Sequence, residues 1–286
     1  MKKIIVTGSN GQLGRAVNAL CDGGEYELIN TDFGIPGIRD IDITDIDGVL
    51  AICREIKPYA IINCAALTNV DGCEVQVDSA YRINALGPKN LAIASRETGA
   101  KLVHISTDYV FAGDGNRPYN EFDTPAPKSM YGRTKLAGEE MVRQFAEDFF
   151  IIRTAWLYGD GKNFVKTMLR LSETHDTVSV VNDQIGSPTS ADELARAIFS
   201  LIATENYGIF HGTCEGVCSW ADFTKEIFRL AGKNTKVNPV TSEQYKEMNP
   251  ASADRPHYSV LDNYMLRLTG LYTFADWEKA IALYLA

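Results

Sequence analysis

The stretch Lys3-Ile4-Ile5-Val6-Thr7-Gly8-Ser9-Asn10-Gly11-Gln12-Leu13-Gly14 decides the fold of this chain. Lys3 to Thr7 is a short, continuous apolar run, the pattern of a strand buried on both faces. The glycine-rich turn Gly8 to Gly14 follows, and Arg15 to Leu20 opens a helical pattern. Strand, glycine turn and helix in that order are the context of a dinucleotide-binding crossover. Glycines let the backbone approach a pyrophosphate, and the helix N-terminus offers amides and positive dipole to it. The competing reading is a glycine-rich connection with no ligand.

Outward from this turn, the chain alternates strands and helices. A second strand near Tyr26 to Asn30 ends close to Asp32, about 20 residues past the glycines, where a carboxylate accepts hydrogen bonds from an adenosine ribose. That carboxylate disfavours a 2′-phosphate and argues for NADH, whereas Arg15 and Arg39 offset it and keep NADPH open. Thr44 is expected to cap a helix running to Ile56, stopped by Lys57-Pro58. Ala60 to Cys64 reads as a third strand, and small residues after it let a flat ligand approach. A long helical region from Glu74 to Thr98 follows, which Pro88 should kink near Gly87 and Gly99 should end. Lys101 to Ser106 is the fourth strand, so Thr107, Asp108 and Tyr109 fall at its carboxyl end, where open parallel sheets bind ligands. Phe149 to Arg153 makes the fifth strand. Later segments read as helices over 163–174, 192–203, 220–231 and 273–284, with strands at 177–181 and 209–212.

Between the fourth and fifth strands lies Ser129-Met130-Tyr131-Gly132-Arg133-Thr134-Lys135. On a helix, Tyr131 and Lys135 share one face. A tyrosine has a pKa of roughly 10, and a neighbouring ammonium is expected to lower it, making the phenol a proton donor to a carbonyl under reduction. Thr107 can hydrogen-bond that carbonyl or the phenol; otherwise it merely caps its turn. Trp156, after the fifth strand, reads either as a stacking surface for a ligand or as a core residue.

Composition narrows the classes. The chain has 286 residues, 45% hydrophobic and 23% charged, with net charge −9. This is ordinary globular usage, and it gives nucleic-acid binding no electrostatic support. The apolar N-terminal run is too short for a membrane span, so a cytoplasmic protein without membrane association is expected. The six cysteines form no Cys-x-x-Cys pair and the four histidines are isolated, so no metal site is expected.

Collected, the motifs resemble those of the extended short-chain dehydrogenase/reductases, and among them the dTDP-4-dehydrorhamnose reductase family. The resemblance rests on Gly8-x-x-Gly11-Gln12-Leu13-Gly14, Asn63-Cys64-Ala65-Ala66, Ser106-Thr107-Asp108-Tyr109-Val110-Phe111-x-Gly113 and Tyr131-Gly132-x-Thr134-Lys135-x-x-Gly138-Glu139. It continues through Arg153-Thr154-x-Trp156-x-Tyr158-Gly159, Asn163-Phe164-Val165, Asp183-Gln184-x-Gly186-Ser187-Pro188-Thr189 and Arg255-Pro256. It implies an α/β fold: a doubly wound parallel sheet of Rossmann type with a smaller, interleaved C-terminal α/β substrate domain. Residues 1–155 would bind the dinucleotide, segments near 177–212 would return to that domain, and 156–286 would mainly bind substrate. The implied reaction is NADPH- or NADH-dependent reduction of the C4 ketone of a dTDP-4-keto-6-deoxy sugar, giving dTDP-L-rhamnose for cell-surface polysaccharide.

By the same resemblance, Thr107, Tyr131 and Lys135 are catalytic. Gly8, Asn10, Gly11, Gln12, Leu13, Gly14, Asp32, Asp42, Ile43, Ala65, Ala66, Leu67 and Thr68 would surround the cofactor, with Tyr131 and Lys135. Thr107, Asp108 and Trp156 would contact the sugar nucleotide, and a homodimer is in keeping with the family. Cys64 and Leu67 depart from its usual residues. An epimerase or dehydratase on the same scaffold is an alternative, although Tyr109 stands where dehydratases carry a second carboxylate. A non-catalytic subunit resembling the methionine adenosyltransferase partner is another.

Overall fold

The N-terminal apolar run forms β1, Lys2–Thr7, in which Ile4 and Val6 pack into one core and Ile5 into another. That split is the period-two signature of a strand covered on both faces. In this computed structural model, which describes residues 1–21, 23–250 and 252–286, six more strands join it: β2 Tyr26–Asp32, β3 Arg39–Asp40, β4 Ala60–Asn63, β5 Lys101–Thr107, β6 Phe149–Thr154 and β7 Gly208–His211. Their order is β7-β6-β5-β4-β1-β2-β3 and every pairing is parallel. The doubly wound expectation therefore holds. The order reverses between β1 and β4, which places a ligand crevice at their carboxyl ends.

Each face is covered by helices with a matching apolar stripe. Leu13 and Val17 of the helix Gln12–Leu20 join Leu194, Ile198 and Leu201 of the helix Ala191–Ile202 over Ile4, Val6, Val103 and Ile152. Val49 and Cys53 of Ile46–Ile56, Leu91 and Ala94 of Gly87–Thr98, and Val142 of Met130–Phe145 cover Ile5, Ile61, Leu102 and Ile151.

Several local expectations change. Asp45, not Thr44, caps the helix Ile46–Ile56, accepting from the Asp47 amide. Thr44 is used otherwise: its amide and hydroxyl both donate to Asp42 at 2.8 Å. The long helix is not continuous. It splits into Val70–Val75, Val77–Tyr81, a π-helical turn Arg82–Leu86 and Gly87–Thr98. Pro88 follows the π-helical turn directly, and Tyr81, Leu86 and Gly87 all keep right-handed helical angles, so its missing N–H leaves a carbonyl of that turn without its helical donor, and the irregularity falls where the proline was expected to disturb the helix. Gly99 does end the helix, in a left-handed conformation. Thr177–Val181 stays off the main sheet and pairs with Lys236–Val240, and the final helix starts late, at Trp277, capped by Asp276. Among the described residues no helix is long and apolar enough to cross a membrane.

Candidate active site

The glycine turn and the segment after β4 meet at the crevice. Gly8 takes φ +61° and lies so near the Ala65 backbone that a Cβ would stand 2.7 Å from its nitrogen. A side chain there meets both steric and backbone cost. Gly14 is likewise pressed onto Ser9, whereas a Cβ on Gly11 would meet only the Gly8 carbonyl, at 3.2 Å, and otherwise open space. Leu13 is buried, anchoring the helix to the sheet. The Ser9 hydroxyl and the Gln12 side-chain carbonyl are buried and unpartnered among the described residues. Open backbone beside the unsatisfied Ser9 hydroxyl at a helix N-terminus suits a pyrophosphate.

Asp32 stands at the end of β2 and accepts the Asn10 amide at 3.0 Å and the Phe33 amide at 2.9 Å. Asp42 closes its own turn through Thr44, and Ile43 packs against Gly87 while its carbonyl accepts from Asn90. Ala66 is half-buried and Thr68 exposed beyond β4.

The helix Met130–Phe145 is capped by Ser129, whose hydroxyl accepts the Gly132 amide at 3.1 Å. Two glycines let it come unusually close to its supports. A Cβ would fall 2.2 Å from the Tyr109 carbonyl at Gly132 and 2.2 Å from the Asn84 carbonyl at Gly138. This seats Tyr131 beside Thr107 and Tyr109, with the Tyr109 and Tyr131 rings edge-on at 5.4 Å. The Thr107 hydroxyl donates to Asp108 at 2.9 Å and accepts the Tyr109 amide at 3.2 Å. The other Asp108 carboxylate oxygen is buried and meets no donor at hydrogen-bond geometry among the described residues; burial pushes this carboxyl up to about 6, with the nearby Ser259 and Thr107 hydroxyls pulling the other way.

The electrostatics of the tyrosine differ from the expectation. Burial dominates and holds Tyr131 well above the usual phenol range, with Thr107 pulling weakly the other way. Lys135 does not turn its ammonium to the phenol. Its Nζ donates to the Ile105 carbonyl at 2.6 Å, and burial pushes it down to about 8 against the attraction of Glu139. Helical spacing puts the two side chains on one face, but desolvation outweighs their mutual effect. A neutral phenol is the form that can donate a proton.

Three supports had no plain sequence signal. Asn84, on the π-helical turn, accepts the Leu67 amide at 2.8 Å and donates to the Leu67 carbonyl at 3.0 Å and the Thr134 hydroxyl at 3.2 Å. It ties the segment after β4 to the tyrosine helix. Glu139, one turn beyond Lys135, receives a two-pronged bond from Arg153 at 2.9 and 2.7 Å and a third from Ser106. Behind Lys135, His104 meets the Asn63 amide at 3.0 Å, and burial followed by the Lys135 charge keeps the imidazole neutral. Only the recurrence of Asn63, Glu139 and Arg153 inside the motifs hinted at such roles.

Beside Tyr109 and Ser129 opens a cavity of about 1000 Å³, also lined by Phe164, Gln184, Trp220, Tyr245 and Arg255. Trp156 does not line it. It adopts φ +50° and stacks on Trp220 with ring centroids 3.5 Å apart, its ring pressed against Gly186. Trp220 thus presents the aromatic surface and Trp156 backs it.

Known proteins are similar to this chain over its whole length. The profile of the RmlD substrate binding domain family spans residues 1–286. The spore coat polysaccharide biosynthesis protein SpsK of Bacillus subtilis is 41% identical over 100% of this chain and 97% of its own. The crystal structure of a dTDP-4-dehydrorhamnose reductase from Clostridium acetobutylicum is 50% identical, with TM-score 0.93 over 99% of this chain and 98% of that one. A dTDP-4-dehydrorhamnose reductase from Bacillus anthracis, solved in complex with NADP, is 45% identical, with TM-score 0.94 over 99% of both chains.

Proposed function

This chain belongs to the RmlD substrate binding domain family, that of the dTDP-4-dehydrorhamnose reductases, and from that membership we propose that it reduces the C4 ketone of dTDP-4-dehydrorhamnose to dTDP-L-rhamnose. The observation that supports the reading is that Thr107 and Tyr109, at the carboxyl end of β5, stand beside Tyr131 on the helix Met130–Phe145, next to the cavity that Tyr109 and Ser129 line. When bound, NADPH or NADH supplies the hydride.

The rest falls to the chain's own side chains. The buried, neutral Tyr131 hydroxyl gives its proton to the C4 oxygen as charge grows there. Lys135, fixed by the Ile105 carbonyl, sets a positive charge beneath the site and would hold a nicotinamide ribose. Asp108 offers its other carboxylate oxygen to a sugar hydroxyl, and the walls from 164–184 and 220–257 take the nucleotide. Residues 156–286 act in the main as the substrate domain. A dehydratase reading fails locally, because Tyr109 is an aromatic neighbour of Tyr131 and not a second acid. The six free thiols fit a reducing cytoplasm. A homodimer would cover Val75, Tyr81 and Leu86, which stand exposed on the broken helical segment; sedimentation tests it.

Adding dTDP-4-dehydrorhamnose to protein and NADPH or NADH tests the function. The expected result is steady loss of 340 nm absorbance with dTDP-L-rhamnose as product. No turnover with either cofactor would overturn it.

A further inference from the structure

We propose that Arg15 is a subsite for the 2′-phosphate of a phosphorylated adenosine, and that Asp160 fills that subsite as an internal counter-ion until the phosphate displaces it. The inference rests on the reading that the glycine crevice takes NADPH or NADH. Two arginines near Asp32 are candidates in the sequence, and the structure separates them. Arg39 is committed to a two-pronged pair with Glu55 on the helix Ile46–Ile56. Arg15 lies at the glycine turn itself. Its Nε donates to the Asn10 carbonyl at 2.9 Å, one terminal nitrogen donates to the Asn10 side chain at 2.9 Å, and the other reaches Asp160 at 2.8 Å.

Asn10 connects this guanidinium to the acid that marks the ribose, because its amide donates to Asp32 at 3.0 Å. The cation and the ribose carboxylate are therefore one residue apart. A guanidinium has five N–H donors, and three are used here, leaving two to face a ligand. Asp32 accepts two backbone amides, which tempers its repulsion of a phosphate. Asp160 belongs to the loop over Gln12 and is shared by Arg15 and Lys166, at 2.8 and 2.9 Å. Both arginine and carboxylate are solvent-exposed, 43% and 64%, so exchanging one anion for another needs no core movement. The phosphate would meet two cations once the carboxylate swings away.

The test is binding, read by calorimetry without turnover. The ligands are NADPH against NADH, and adenosine 2′,5′-bisphosphate against 5′-ADP. Arg15→Ala should weaken NADPH and the bisphosphate about tenfold, the scale of an exposed charge-assisted pair, and change NADH and 5′-ADP less than about twofold. Arg39→Ala should leave all four within about twofold. Asp160→Asn should tighten the two 2′-phosphorylated ligands selectively, and the advantage should shrink with salt. Equal loss of all four ligands in Arg15→Ala would show that Arg15 only shapes the turn, and Arg15→Lys, which keeps the charge, would then show the same loss. An unchanged or weaker bisphosphate affinity in Asp160→Asn would refute the counter-ion. Wild-type protein that binds neither dinucleotide would instead defeat the cofactor reading itself.

Discussion

Replacing Lys135 by Met is expected to stabilise the protein at neutral pH while removing its activity. The lysine is 2% exposed, and burial takes its ammonium from an ordinary 10.5 to about 8. That difference corresponds to roughly 3 kcal/mol against the folded state when both states are protonated. The cost is fully present below about pH 8. Between pH 8 and 10.5 the unfolded chain holds the extra proton, so wild-type stability rises with pH, and above 10.5 the cost is gone. Methionine has no such cost at any pH. It forfeits the hydrogen bond from Nζ to the Ile105 carbonyl, worth about 1–2 kcal/mol. The net gain at pH 7 is therefore about 1–2 kcal/mol, vanishing or reversing near pH 10.5. Urea unfolding of both proteins at pH 7 and pH 10 measures it. A variant less stable than wild type at pH 7, or a gap that does not move with pH, would refute the reasoning. A functional lysine kept at a cost in stability is a known trade.

Other consequences are more local. Protonation of Asp108 should remove its acceptor, giving kcat/KM an acid limb near pH 6; in Asp108→Asn that limb should disappear from the pH profile and KM should rise. Gly138→Ala should destabilise by about 1–3 kcal/mol in thermal melts, because the Cβ collides with the Asn84 carbonyl and this outweighs the usual helical gain of about 1 kcal/mol. Glu139→Gln should cost about 3–5 kcal/mol in urea, since it strands the buried Arg153 charge.

What was legible in the sequence was what local pattern controls. An apolar run, a glycine turn and an amphipathic helix predict β1 and its crossover because all three act within about twenty residues. The four-residue spacing of Tyr131 and Lys135 likewise puts both side chains on one face of a helix, whose Ser129 cap only the structure shows. The chemistry between those two was not legible, because spacing says nothing of desolvation, and desolvation governs both groups. Asn84 was missed for a related reason. Its value lies in partners 17 residues back and 50 ahead, reached from a π-helical turn that helical periodicity does not announce. Trp156 could not be placed without Trp220, 64 positions later in the chain, on which it stacks. Two-residue strands such as β3 carry too little pattern to stand out from loops, and so does Lys236–Val240, the partner of the Thr177–Val181 strand that the sequence does predict.

The central claim is that the Tyr131 hydroxyl protonates the reduced carbonyl. Tyr131→Phe removes one oxygen and leaves the ring against Tyr109. Positioned acid catalysis contributes on the order of a hundred- to ten-thousand-fold. The kcat of this variant on dTDP-4-dehydrorhamnose, measured alongside its NADPH affinity and melting temperature, is the direct test. The account predicts a kcat lower by that factor, with affinity and melting temperature close to wild type. A variant that reduces the keto sugar at nearly the wild-type rate would contradict it.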